Sequence, residues 1–287
     1  MRQQSIVVIG LPGSGKTTFL AALWHLIFSR ESETQLRFGS IKNGNQKHLN
    51  SIADRWRNAQ RQERTQLAGN QQVCLDLRTV EGDAVTVTFP DVAGESYRQM
   101  WEERECEKPV ADTLMGGNVL LFIHADNIKP PLWITEVAEM SRSLGLPAVP
   151  DGELVPWHPR LAPTQVQLVG LLGLLSEAPL DIGPRRLAVM LSAWDKAKGE
   201  QLSPKEFVRE KLPLLFQYLD TNSHQWDWNI YGVSAQGGDY DNAQSGAPPN
   251  PSAEELRSID QPSTRIELTD GTSSAHDLTI PIAWLMK

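Results

Sequence analysis

The stretch Gly10-Leu11-Pro12-Gly13-Ser14-Gly15-Lys16-Thr17 carries the clearest chemistry in this 287-residue chain. Its glycines let consecutive backbone N–H groups turn inward around an anion. A helix starting at Lys16 would point its positive dipole end at the same place. The Lys16 ammonium suits the β- and γ-phosphates of a nucleoside triphosphate, and the Thr17 hydroxyl is an oxygen ligand of the kind Mg²⁺ takes. This is the Walker A pattern. The expected nucleotide contacts are Gly10, Pro12, Gly13, Ser14, Gly15, Lys16, Thr17 and Thr18. At average residue frequencies the four fixed positions arise by chance in roughly one chain in a hundred, and a flanking strand and helix make accident rarer still.

Two further groups complement that loop. Asp91-Val92-Ala93-Gly94 reads as DxxG, with Asp91 placed to hold Mg²⁺ through a water and the Gly94 amide placed to sense the terminal phosphate. Ser192-Ala193-Trp194-Asp195 follows an apolar run. The Asp195 carboxylate can accept from both N1–H and N2–H₂ of guanine, whereas adenine presents an acceptor at N1. Such a buried mismatch costs about 1–3 kcal/mol.

These residues need a scaffold, and the hydrophobic pattern supplies one. Ser5 to Gly10 is a continuous apolar run that fits a strand buried on both faces, and Lys16 to Ser29 has helical length with a broad apolar stripe. Leu49 to Arg61 can be helical. Val73 to Val80 and Ala84 to Pro90 read as a hairpin, with Val85, Val87 and Phe89 alternating with threonines. A helix over Ser96 to Met115 is interrupted by Pro109. Asn118 to His124, Leu187 to Ser192 and Asn229 to Ser234 are further strands. Between the last two, Ser203 and Pro204 open a helix reaching about Leu219. Strands alternating with helices imply a mainly parallel sheet with ligands beyond its carboxyl ends. The expected fold is an α/β P-loop NTPase three-layer sandwich with one antiparallel edge strand, a single domain over 1–287. Insertions fall at 127–186, which holds a helix from Thr164, and at 237–275, read as an extended loop rich in Gly, Pro, Ser, Asn and Asp. Ile280 to Met286 is apolar enough to dock back on the domain.

Thirty-five acids against 27 bases argue against a duplex-coating protein, so no nucleic-acid partner is expected. No run approaches the ~18 apolar residues of a membrane span. Cys74 and Cys106 lack metal-ligand spacing, and no HxH or HExxH pair occurs. A cytoplasmic protein is expected.

In order, the Walker A loop, the hairpin, DVAGE, NVLLFIH, LSAWDK and GVSA resemble the TRAFAC-class, Ras-like GTPases, most closely the bacterial double-GTPase group associated with conflict or signalling systems. The resemblance spans roughly 5–124 and 187–235. It implies GTP and GDP as ligands, Mg²⁺ as cofactor and a protein effector or GTPase-activating partner. The family reads guanine with [NT]KxD. Here Asp195 is kept, but Ser192 replaces the Asn or Thr and Ala193 the lysine whose stem covers the base, while Ser234-Ala235 resembles the fifth motif, SAx, whose amide contacts the guanine oxygen. The first switch requires a threonine, for which Thr34 and Thr65 are candidates. The run Trp56…Arg64-Thr65 resembles the double-GTPase pattern and favours Thr65 as second hydroxyl ligand to the metal, with Arg64 as an arginine finger in cis. Glu95 stands where Ras-like proteins carry the glutamine that orients water, which implies slow or partner-dependent hydrolysis. Two other classes stay open: an ATP-dependent P-loop enzyme of the small-molecule kinase type, and a nucleotide-binding module without turnover.

Overall fold

The first apolar run forms β1 (Gln4–Gly10), and the loop after it opens helix α1 (Lys16–Ser29). Strand β2 (Arg37–Asn43) and helix α2 (Gln46–Arg57) follow, then the hairpin β3 (Val73–Arg78) and β4 (Ala84–Phe89). Helices α3 (Gly94–Glu103) and α4 (Lys108–Leu114) lead to β5 (Asn118–His124). Helices α5 (Ile134–Ser143) and α6 (Thr164–Leu175) precede β6 (Arg185–Ser192). The short α7 (Trp194–Ala197) and the pair α8 (Pro204–Lys211) and α9 (Pro213–Thr221) return the chain to β7 (Trp226–Ser234). Then come α10 (Pro251–Arg257), β8 (Glu267–Thr269), β9 (Ser274–Ala275) and α11 (Ile280–Leu285). This computed structural model describes residues 4–62, 72–89, 94–131, 134–143, 145, 158–241 and 250–287.

The strands make one sheet in the order β2-β3-β4-β1-β5-β6-β7-β8-β9. Its centre, from β4 through β1, β5 and β6 to β7, is parallel. The near-continuous burial of β5 and β6 reflects that position, because helices cover both faces of a parallel sheet. Alternation within β1 divides the core: Ile6 and Val8 pack with α1, α2 and α11, while Val7 and Ile9 pack with α3, α6, α8 and α9. Each fully buried Leu or Ile in these layers contributes about 1.5–3 kcal/mol of transfer free energy. The chain leaves β1 toward β4 on one side and β5 on the other, so the crevice at its carboxyl end is a topological switch point.

Antiparallel pairing occurs at both edges rather than one. Strand β3 runs against β2 and β4, and β8 runs against β7 and β9. The stretch 237–275, expected as an extended loop, holds α10, β8 and β9 among its described residues. The helix expected over Ser96 to Met115 is two helices, with Pro109 in the first turn of the second. The one expected from Ser203 to Leu219 is also two. Pro213 has no N–H to continue α8 and starts α9 instead.

Candidate functional site

After β1 the backbone turns through positive φ at Gly10 (152°), Gly13 (71°) and Gly15 (88°), conformations that L side chains rarely adopt. Space is also short at Gly10, where a Cβ would lie 2.6 Å from both the Phe122 carbonyl and the Ser14 hydroxyl. The loop so formed ends in α1, which no side chain caps and whose first turn carries no acid. Lys16 folds over the loop, with Nζ donating to the carbonyls of Gly10 (2.8 Å) and Leu11 (3.1 Å) and to Ser14 Oγ (3.3 Å). Beneath it, 5.9 Å from the ammonium, lies the ring of Tyr97, whose hydroxyl donates to the Val8 carbonyl (3.1 Å). Burial pushes that phenol far above its ordinary range, so it stays neutral.

The end of β6 is fastened to this loop. Ser192 Oγ donates to the Ser14 carbonyl at 2.8 Å, and a Cβ at Gly15 would meet Ser192 Oγ at 2.7 Å. Ala193 takes a left-handed conformation (φ 53°) and starts α7. Trp194 is buried edge-on against Phe207 and over Gly232, where a Cβ would strike the indole at 2.5 Å. This anchor fixes its neighbour, Asp195, whose Oδ1 accepts from Ser234 Oγ at the end of β7 (2.7 Å). The Ala235 carbonyl in turn accepts from Trp56 Nε1 of α2 at 2.8 Å.

These loops enclose a cleft of about 470 Å³ beside the glycine loop, whose lining includes Gly15, Thr18, His124, Asp195, Lys196 and Tyr240. Burial holds the His124 imidazole below its ordinary value against the opposing pull of Asp126 and Asp195, so His124 is neutral at pH 7. Lys196 is ion-paired with Asp239, which raises its pKa.

The structure thus brings together Gly10, Pro12, Gly13, Ser14, Gly15, Lys16, Thr17, Thr18, Asp195, Ser234 and Ala235 at the carboxyl ends of β1, β6 and β7. Gly94 and Glu95 open α3, after β4. Arg64, Thr65 and Asp91 lie outside the described residues. Thr34 is excluded as a partner of Thr17. Just after it Arg37 pairs with Arg78, and Arg78 with Ala84 at the amino end of β4, the opposite end of the strands from the glycine loop. The Thr34 hydroxyl instead donates to the Leu36 carbonyl at 2.8 Å. Sequence reasoning missed Arg61, His124, Asp126, Lys196, Asp239 and Tyr240 on the cleft wall. Only Lys196, adjoining Asp195, carried a signal in its spacing.

What the arrangement can do follows from its donors. A glycine loop, an uncapped helix start and an ammonium suit a polyphosphate. The Thr17 hydroxyl in the first turn of α1 is a hard oxygen donor that suits Mg²⁺. A carboxylate held by a serine across the cleft suits a group with two adjacent N–H donors.

A parallel core with this loop between its central strand and first helix is the fold of the P-loop nucleoside-triphosphate-binding proteins. Within that class, a profile of the Double-GTPase 1 family matches residues 7–285, and the chain belongs to that family. No curated protein matches the chain. Among solved structures it is similar to Sup35 complexed with GMPPNP, at 14% identity and TM-score 0.37, over 90% of this chain and 45% of that one. It is also similar to the signal recognition particle receptor SRb-GTP/SRX complex from Chaetomium thermophilum, at 13% identity and TM-score 0.39, over 90% of this chain and 96% of that one. A third is the GTP-bound Ski7 GTPase-like domain of S. cerevisiae, at 13% identity and TM-score 0.38, over 86% of this chain and 47% of that one. The chain therefore spans about half the length of the Sup35 and Ski7 chains.

Proposed function

We propose that this protein binds GTP with Mg²⁺ at residues 10–17 and hydrolyses it slowly, as a switch whose segments after α2 and β4 respond to the terminal phosphate. One observation carries the reading. Ser192 and Ser234 hold the Asp195 loop against the glycine loop, so Asp195 lines one cleft together with Gly15 and Thr18.

In this reading the Lys16 ammonium exchanges the carbonyls of Gly10 and Leu11 for phosphate oxygens, which are charged and stronger acceptors. The amides of residues 13–18 surround the β-phosphate. Ser234 occupies Oδ1 of Asp195, orienting the carboxylate toward the guanine N1–H and N2–H₂, while the Ala235 amide serves the guanine oxygen. Thr17, Thr65 and Asp91 would hold Mg²⁺, which when bound neutralises charge on the phosphates. The Gly94 amide senses the γ-phosphate, and Arg64 acts as the charge developing there separates. Glu95 adds negative charge where a neutral glutamine would orient water, which supports slow turnover and a protein partner that accelerates it or reads the bound state.

Calorimetric titration of nucleotide-free protein with Mg²⁺-GTP, Mg²⁺-GDP and Mg²⁺-ATP tests this. Guanine nucleotides should bind at least tenfold more tightly than ATP, the effect of about 1.4 kcal/mol of base mismatch. Tight ATP without GTP binding would replace the switch with an ATP-dependent enzyme.

A further inference from the structure

The wall of the cleft that adjoins both its phosphate end and its base end comes from residues 238–241, beyond β7. Tyr240 is the large side chain there. Its hydroxyl pairs with Thr18 Oγ1 in the first turn of α1 at 2.8 Å. The preceding residue, Asp239, is ion-paired with Lys196, the neighbour of Asp195. The ring therefore belongs to a segment tied at once to the helix that faces the phosphates and to the loop that carries the base-reading carboxylate.

That segment is pinned from behind. Asp241 N donates to the Ala59 carbonyl (2.7 Å), Asn250 Nδ2 to the Tyr240 carbonyl (3.1 Å) and Asp239 N to Ser252 Oγ (3.2 Å). Arg257 pairs with Asp241 at 2.7 Å. A ring so held is preorganised, and the ordering cost of a mobile cover is avoided. The cleft measures about 470 Å³ with the ring in place, inside the range of roughly 300–1,000 Å³ typical of small-molecule sites. Tyr240 is thus a wall and not a plug. Burial raises the phenol's pKa, so at neutral pH it presents an uncharged face. Ala193 has only a methyl group to offer a purine.

We infer that Tyr240 is the surface against which the nucleoside of the bound nucleotide packs, in place of the covering side chain that Ala193 cannot supply. This rests on the cleft being the nucleotide site proposed above. An aromatic face recognises any base by stacking, so the ring contributes affinity while Asp195 supplies the choice of base.

The test measures Tyr240→Ala and Tyr240→Phe by calorimetry with Mg²⁺-GDP, Mg²⁺-GTP and Mg²⁺-tripolyphosphate. Tyr240→Ala should weaken GDP and GTP by the same factor, about 10- to 100-fold as for loss of one base–aromatic stack. Tripolyphosphate, which lacks a nucleoside, should bind as it does to the wild type. Tyr240→Phe keeps the ring and should recover GDP affinity to within about threefold. Unchanged GDP affinity in Tyr240→Ala would overturn the inference. So would a parallel loss of tripolyphosphate, which would make Tyr240 a support for α1 through Thr18. If the wild type takes ADP and refuses GDP, the guanine reading falls. The same two variants measured with ADP and tripolyphosphate then decide the role of the ring independently.

Discussion

Helix α8 begins at Ser203, whose side chain accepts from the Glu206 amide while the Glu206 carboxylate accepts from the Ser203 amide at 2.9 Å. Helix α1 begins at Gly15 with no side-chain cap and no acid in its first turn. Both are buried against the same sheet, on opposite faces. Every helix start leaves orphan amides and a partial positive charge. In α8 the chain satisfies these itself, with a reciprocal box and Pro204 at the first position. In α1 the corresponding place is taken by a glycine whose Cβ would strike Ser192, so packing as well as conformation keeps a capping side chain out. One terminus serves stability, and the other is shaped for an external anion.

The largest expected effect on this contrast comes from Lys16→Ala. Removing the ammonium deletes charge-assisted hydrogen bonds of about 1.5–3 kcal/mol each. Triphosphate affinity should fall by about 100-fold or more, with the thermal midpoint of the ligand-free protein nearly unchanged. GTP titration and a thermal melt of the same sample check both halves.

Gly15→Ala should damage both properties together. A left-handed alanine costs about 1–2 kcal/mol, and its methyl must displace Ser192 Oγ from 2.7 Å. Chemical denaturation should show destabilisation of at least that size, and nucleotide binding should weaken because the phosphate loop and the Asp195 loop are pushed apart. A variant of wild-type stability would mean that the two loops do not pack as described.

Ser203→Ala is the mildest. Loss of the cap should lower stability by about 1 kcal/mol, while GTP affinity stays at the wild-type value. Denaturant melts with and without GTP separate these, and a substantial loss of GTP affinity would blur the division between the two termini.

Much of this architecture was legible because it is local. The glycine loop, the apolar runs of β1, β5 and β6, and the Ser203-Pro204 helix start are written in contiguous residues. Strand β2 was not, since Arg37–Asn43 is mostly polar and exposed and only Phe38 and Ile41 pack against the core. Strands β8 and β9 were hidden for a similar reason: they hold three and two residues in a polar stretch, with Leu268 the apolar residue buried among them. The Thr18–Tyr240 contact joins residues 222 positions apart, and the tie between Trp56 and Ala235 joins residues 179 apart. Neither motif nor periodicity reports on pairs at that separation. Ser192 was legible as a departure from the family's Asn or Thr, but its bond to the Ser14 carbonyl became visible only when β6 was placed beside the loop.

The central claim is that Asp195 reads a guanine base in the cleft that the phosphate loop shares. Asp195→Asn tests it most directly, with GTP and XTP affinities measured side by side on wild type and variant. Xanthine carries a C2 carbonyl that can accept from the new amide, so GTP should weaken by about tenfold or more and XTP should tighten, reversing or erasing the preference. An unchanged GTP-to-XTP ratio would contradict the account and place base recognition elsewhere in the chain.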